Sequence, residues 1–178
     1  MSFAGLKFKG ANEQVFEYEF NSDETKVLLA TSPQFIYRRS YLANYYVYDM
    51  NTKQITSVCD EKVRLADFSP NGSMVAYVKD NNIYVLSLAD MSVRQLTIDG
   101  AFNKIIYGTT DWVYEEEFAI TKGFFWSPDS KKIAFYSFDE SKVKEFTIPY
   151  YGELYPMQYT YKYPKAGEDN SVIGVHVY

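Results

Sequence analysis

Along most of the chain, apolar and polar residues alternate in runs of four to eight, and the runs are broken by clusters of turn-forming residues. Ser73-Met74-Val75-Ala76-Tyr77-Val78, the turn Lys79-Asp80-Asn81-Asn82 and Ile83-Tyr84-Val85-Leu86-Ser87-Leu88 form a hairpin by pattern. Tyr45-Tyr46-Val47-Tyr48 runs into the turn Asp49-Met50-Asn51-Thr52-Lys53, and Gln54-Ile55-Thr56-Ser57-Val58 resumes as a strand. Lys132–Phe138 and Val172–Tyr178 read the same way. No segment of about 12 residues places apolar side chains at i, i+3, i+4 and i+7 between good caps. The pattern therefore predicts an all-β chain.

The strands recur in units. Phe68-Ser69-Pro70-Asn71-Gly72-Ser73-Met74-Val75-Ala76-Tyr77 aligns with Trp126-Ser127-Pro128-Asp129-Ser130-Lys131-Lys132-Ile133-Ala134-Phe135, and Phe20-Asn21-Ser22-Asp23-Glu24-Thr25-Lys26-Val27-Leu28-Leu29 is a more divergent copy. In each, an aromatic ends one strand, a tight turn follows, and an apolar strand enters the core. Proline sets φ in such a turn, and Asn, Asp or Gly tolerates its backbone. The copies are spaced by 48 and 58 residues. Such spacing suggests four-stranded propeller blades of about 40–50 residues rather than unrelated hairpins in a sandwich. The 178 residues then make three to four blades, in units near 15–60, 61–100 and 101–178. Closed propellers have about four to eight blades, so the expectation is an incomplete arc of a larger ring.

Composition supports this picture. Aromatic residues make up 19% of the chain, with 18 Tyr and 13 Phe, and flat rings pack well on pleated sheets. The net charge of −5 and the sequence pI of about 5.0 argue against a nucleic-acid partner or a basic membrane face. A single cysteine, Cys59, excludes an internal disulfide and a multi-cysteine metal cluster, and the single histidine, His176, leaves little for a histidine metal site. No metal or cofactor is expected. Met1–Lys7 lacks the basic head and apolar stretch of a secretory leader. Neither a Gly-x-Ser-x-Gly elbow nor a phosphate-binding glycine loop is present, and no serine has a matching His and Asp. No catalytic residue is expected within the chain.

One segment stands out: Thr110-Asp111-Trp112-Val113-Tyr114-Glu115-Glu116-Glu117-Phe118. A run of three carboxylates is ordinarily a solvated face. Here it sits among aromatics that tend to be buried. Acids held on such a base repel one another and gain from a bound cation, and an organic ammonium fits better than a metal. A propeller that binds proteins through an exposed face is the alternative. A glycosidase with paired acids fits poorly, because its carboxylates stand about 5–10 Å apart across a sugar-sized cleft.

Asp111–Glu117 resembles the Asp-Trp-Val-Tyr-Glu-Glu-Glu motif of the dipeptidyl peptidase IV family, serine exopeptidases of the prolyl oligopeptidase clan. The resemblance continues through Phe124-Phe125-Trp126-Ser127-Pro128-Asp129-Ser130, Phe138-Asp139-Glu140-Ser141 and Tyr163-Pro164-Lys165-Ala166-Gly167-Glu168. Upstream it takes in Tyr37-Arg38-Arg39-Ser40-Tyr41 and Tyr45–Asp49, covering roughly residues 18 to 178. It implies an N-terminal eight-bladed propeller joined in cis to an α/β-hydrolase domain that carries a Ser-Asp-His triad and is missing from this chain. The implied activity is release of N-terminal dipeptides with Pro or Ala second, from peptides with a free N-terminus, by a parent enzyme that is commonly a homodimer. Carried over, Glu116 and Glu117 bind the substrate α-amine. Arg38, on a neighbouring blade, reaches a substrate carbonyl, and Glu115, Asp111, Trp112 and Tyr114 support the site. The sequence departs from the family at Arg39, where some members have histidine, and at Ser171, where proline is frequent.

Overall fold

Each copy of the repeated motif folds as the turn between the first and second strand of a four-stranded antiparallel sheet. The computed structural model describes residues 6–8 and 13–178; most of the Met1–Lys7 leader reading lies outside them. The first sheet is β1 (Val15–Phe20), β2 (Lys26–Phe35), β3 (Tyr41–Asp49) and β4 (Ile55–Ser57), and the second is β5 (Arg64–Phe68), β6 (Met74–Lys79), β7 (Asn82–Ser87) and β8 (Val93–Gln95). The third contains β9 (Ile105–Thr109), β10 (Lys122–Trp126), β11 (Ile133–Asp139) and β14 (Val172–Val177), in the order β10-β9-β11-β14. Between β11 and β14 a separate hairpin stands out, β12 (Glu145–Tyr150) with β13 (Met157–Lys162).

The three turns share their hydrogen bonds as well as their place. The first residue's N–H donates to the carbonyl five residues on: Asn21 to Lys26 at 3.0 Å, Ser69 to Met74 at 2.9 Å and Ser127 to Lys132 at 2.8 Å. That same residue's side chain accepts in return, through Asn21 Oδ1 (2.8 Å), Ser69 Oγ (3.0 Å) or Ser127 Oγ (2.9 Å). The fourth residue is left-handed in all three, with φ of 55° at Glu24, 67° at Gly72 and 61° at Ser130. Neighbouring turns are laced together, Ser22 Oγ donating to the Pro70 carbonyl and the Asn71 N–H to Ser130 Oγ.

Alternation along the strands sends side chains to two interfaces. Val75 and Tyr77 of β6 join Leu28, Ala30, Tyr45 and Val47 in a core between the first and second sheets. Ala76 and Val78, on the opposite face of β6, join Ile83, Phe124, Ile133 and Phe135 between the second and third. The sheets are thus stacked face to face as blades of a partial propeller, with the second sheet in the middle. A fully buried Val, Leu, Ile or Phe contributes about 1.5–3 kcal/mol, so these two seams hold the arc together.

Candidate functional site: a helix inserted into a blade strand

The site begins with an interruption. β9 and β10 share one edge of β11: Ile105–Tyr107 pair with Ser137–Asp139, and Phe124–Trp126 pair with Ile133–Phe135. Residues 110–121 leave the middle of that edge. Their neck is tied by Thr109 Oγ1 to the Thr121 carbonyl (2.9 Å) and Thr110 Oγ1 to the Ile120 carbonyl (2.5 Å). At its base Gly108 has φ +72°, and a Cβ there would come within 2.7 Å of Ile83. No side chain fits where the strand passes the second sheet.

Within the insert, Trp112–Phe118 forms helix α1. Asp111 caps it, accepting the Tyr114 N–H at 2.9 Å, and its other oxygen takes the Ser171 hydroxyl at 2.5 Å. Ala119 ends the helix in the left-handed region at φ 56°. A helix of this length is not stable alone, so aromatic packing holds it. The Trp112 and Tyr163 ring centroids lie 4.6 Å apart, and Tyr114 meets Phe138 at 5.1 Å.

The helical step of about 100° sends the three glutamates in different directions. Glu115 is 0% exposed. Its Oε1 accepts the backbone N–H groups of Arg39 and Ser40, both at 2.8 Å, and its carbonyl accepts Arg39 Nη1 at 3.1 Å. Glu116 meets Arg38, its Oε2 lying 3.1 Å from Nε; the Glu116 side chain is 14% exposed and that of Arg38 72%. This pair lines a hollow of about 210 Å³ with Trp112, Tyr37, Tyr150, Tyr159 and Tyr161. Glu117 is exposed and is not among the residues lining that hollow. The structure therefore brings together Arg38 and Glu116, not Glu116 and Glu117. It also separates the two arginines, Arg38 facing Glu116 and Arg39 gripping Glu115. Arg38 comes from the β2–β3 loop of the first sheet, one blade further away than the sequence reading expected.

Two charged groups near the helix lie outside the expected site residues. Burial lowers the pKa of the Arg64 guanidinium, against the opposing charge of Glu115. Glu140 is 5% exposed, and burial, reinforced by the Asp111 charge, pushes its carboxyl up to about 7 while Lys162 acts the other way. Arg64 and Glu140 line a hollow of about 330 Å³ with Asp111, Trp112 and Tyr37. The sequence reading passed over the β12–β13 hairpin, whose Tyr159 and Tyr161 wall the smaller hollow; the alternation in Glu145–Tyr150 and Met157–Lys162 is the signal that points to it. His176 stacks on Phe135, and its Nε2 lies 2.8 Å from Ser137 Oγ.

Comparisons with known proteins agree with this architecture. The chain is 38% identical over 175 residues to dipeptidyl aminopeptidase B of Saccharomyces cerevisiae, covering 95% of this chain and 21% of that protein. It is 35% identical over 164 residues to human prolyl endopeptidase FAP, covering 90% of this chain and 22% of that one. The crystal structure of Porphyromonas gingivalis dipeptidyl peptidase 4 superposes with a TM-score of 0.90 at 43% identity, over 98% of this chain and 25% of that one. The chain thus spans about a fifth of the length of these curated relatives. The profile of the dipeptidyl peptidase IV (DPP IV) N-terminal region matches residues 21–178, and the chain belongs to that family.

Proposed function

We propose that this chain is the substrate-recognition segment of a serine dipeptidyl peptidase that releases N-terminal dipeptides with Pro or Ala at the second position. The observation that carries the reading is the Arg38–Glu116 ion pair, 3.1 Å long, at a tyrosine-walled hollow. An ion pair with so exposed a partner is worth about 1 kcal/mol or less, so exchanging it costs little. A substrate ammonium offers three donors to Glu116, and Arg38, once released, presents its planar donors to a substrate carbonyl. Glu117, one helical position on and exposed, supplies the second carboxylate by a side-chain rotation. Fixing the amine fixes the scissile bond about 7 Å away, two residues along an extended chain. Positioning of that kind lowers a barrier without contributing a reacting group.

The reacting groups then come from an α/β-hydrolase domain of the same polypeptide outside residues 1–178, and no cofactor takes part. The chain by itself is expected to show no turnover. The parent pairs as a homodimer, a reading supported by the exposed apolar tip of the β12–β13 hairpin, where Leu154 is 90% and Tyr155 82% exposed.

The test is made in the full-length parent, on free and N-acetylated X-Pro substrates. Glu116→Ala is expected to lower kcat/KM on the free substrate about ten- to a hundredfold, the scale of a charge-assisted hydrogen bond. Arg38→Ala and Glu117→Ala act in the same direction. The acetylated substrate, having no ammonium, is poor for every variant. If both glutamate variants cleave the free substrate like the wild type, the acids are only a solvated face and the proposal fails.

A further inference from the structure

Four polar atoms lie buried without a hydrogen-bond partner where the three sheets converge on helix α1: Glu115 Oε2, Ser40 Oγ, and Nε and Nη2 of Arg64. They come from the third, first and second sheets respectively. Native interiors leave few such groups, and each calls for an explanation. Glu115 is fully buried, and only one of its oxygens is occupied, by the Arg39 and Ser40 amides. A carboxylate in that position is costly unless an opposite charge shares its burial. Arg64 is the cation placed to do so. Arg64 lines two hollows, one with Trp112 and Asp111 and the other with Arg39 and Ser40.

The backbone of β5 is bent to deliver it. Arg64 pairs with Val78 and Asp67 with Ala76, so three steps along β5 oppose two along β6. Leu65, inside this bulge, is left-handed at φ 56°. Bulges re-aim side chains, and a non-glycine residue stays left-handed only where its surroundings hold it there.

We infer that Arg64 is a positioning residue: its guanidinium balances the buried Glu115 charge, so that Glu115 grips the Arg39 and Ser40 amides and sets Arg38 opposite Glu116. This rests on the amine-site reading above. Without Arg64, the buried carboxylate lacks that balancing charge and draws toward solvent, and the β2–β3 loop loses the clamp that orients Arg38. Arg64 touches no substrate in this scheme.

The experiment uses the full-length enzyme and a free X-Pro substrate, with the melting temperature recorded for each variant. Arg64→Met is expected to lower kcat/KM about tenfold, mainly by raising KM, in the range seen for residues that couple through a network. Arg64→Lys, which restores the charge, is expected to recover to within about threefold. In an Arg38→Ala background, Arg64→Met adds less than about twofold, because the side chain it serves to place has already gone. A general loss of packing would instead add its full effect in both backgrounds. Should Arg64→Met fail to fold, Arg64→Gln, polar but uncharged, carries the same comparison. Wild-type KM in these variants, no recovery with lysine, or full additivity with Arg38→Ala overturns the inference. An impaired Glu116→Gln enzyme beside unimpaired Arg64 variants overturns this inference alone. A Glu116→Gln enzyme with wild-type kinetics overturns the amine-site reading on which it rests.

Discussion

At the scale of single residues, burial decides which acids can stay charged. Asp23 and Asp129 cap their turns in the open, where hydrogen bonds to Thr25 and to Ser127 and Lys131 hold their carboxyls below the usual value. Glu140 is the opposite case. Burial first, and the Asp111 charge second, raise it from 4.5 to about 7. The folded state therefore favours its protonated form. That contribution is complete below pH 4.5 and is lost as the pH rises through about 7. By linkage the loss is about 3 kcal/mol. Glu140→Gln is expected to flatten the dependence of stability on pH between 4.5 and 7 and to raise the melting temperature at pH 8. Thermal unfolding followed across pH 4 to 8 checks this (roughly the window in which the shifted group titrates). An unchanged pH slope would show that Glu140 is charged at no cost in the fold.

At the scale of elements, two local devices bear weight out of proportion to their size. The β5–β6 turn favours glycine at Gly72: φ is +67°, and a Cβ would lie 2.6 Å from Asn21 Nδ2 in the adjoining turn. Gly72→Ala is expected to destabilise the fold by about 1–2 kcal/mol, visible as a lower denaturation midpoint. Helix α1 depends on Asp111, which binds both the Tyr114 N–H and the Ser171 hydroxyl. Asp111→Ala is expected to cost about 1–2 kcal/mol. Because the helix carries Glu115 and Glu116, the same variant should also raise KM in the parent enzyme. Denaturant titration and steady-state kinetics on one preparation measure both effects. A stable but kinetically normal Asp111→Ala enzyme would mean that the aromatic contacts of Trp112 and Tyr114 suffice to hold the helix.

For the whole molecule, the stacking that buries both faces of the second sheet leaves apolar groups uncovered on the others. Val175 is 72% and Val177 67% exposed on β14, and Phe125 on β10 is 50% exposed. On the first sheet Tyr18 is 57% and Phe35 58% exposed. Contiguous apolar surface of this kind promotes association, and free strand edges offer backbone groups to a second chain. The 178-residue chain, prepared alone, is expected to self-associate with rising concentration. Sedimentation velocity over a hundredfold concentration range tests this, and a single monomeric species throughout would refute it.

The sequence by itself determined whatever depends on near neighbours. Alternation set the strands, and Ser-Pro-Asn/Asp followed by a residue able to turn left-handed set the same turn in each sheet, even where Asn21 replaces serine. The motif Asp111–Glu117 marked the candidate site, because a capping Asp followed by aromatics and acids is a local arrangement. The tertiary structure decided what depends on residues far apart in the chain. Glu115, Glu116 and Glu117 are alike in sequence, yet one is buried under the Arg39 and Ser40 amides, one faces Arg38 and one stands in solvent. That division follows from how the third sheet projects its insert past the second toward the first. Arg64 lies in no motif, and the family-like stretch around Glu140 gives no sign of its burial; the character of both comes from the low-dielectric space that three stacked sheets enclose. Local propensity fixes hydrogen bonds a few residues apart, whereas desolvation and charge pairing are settled only when distant strands pack.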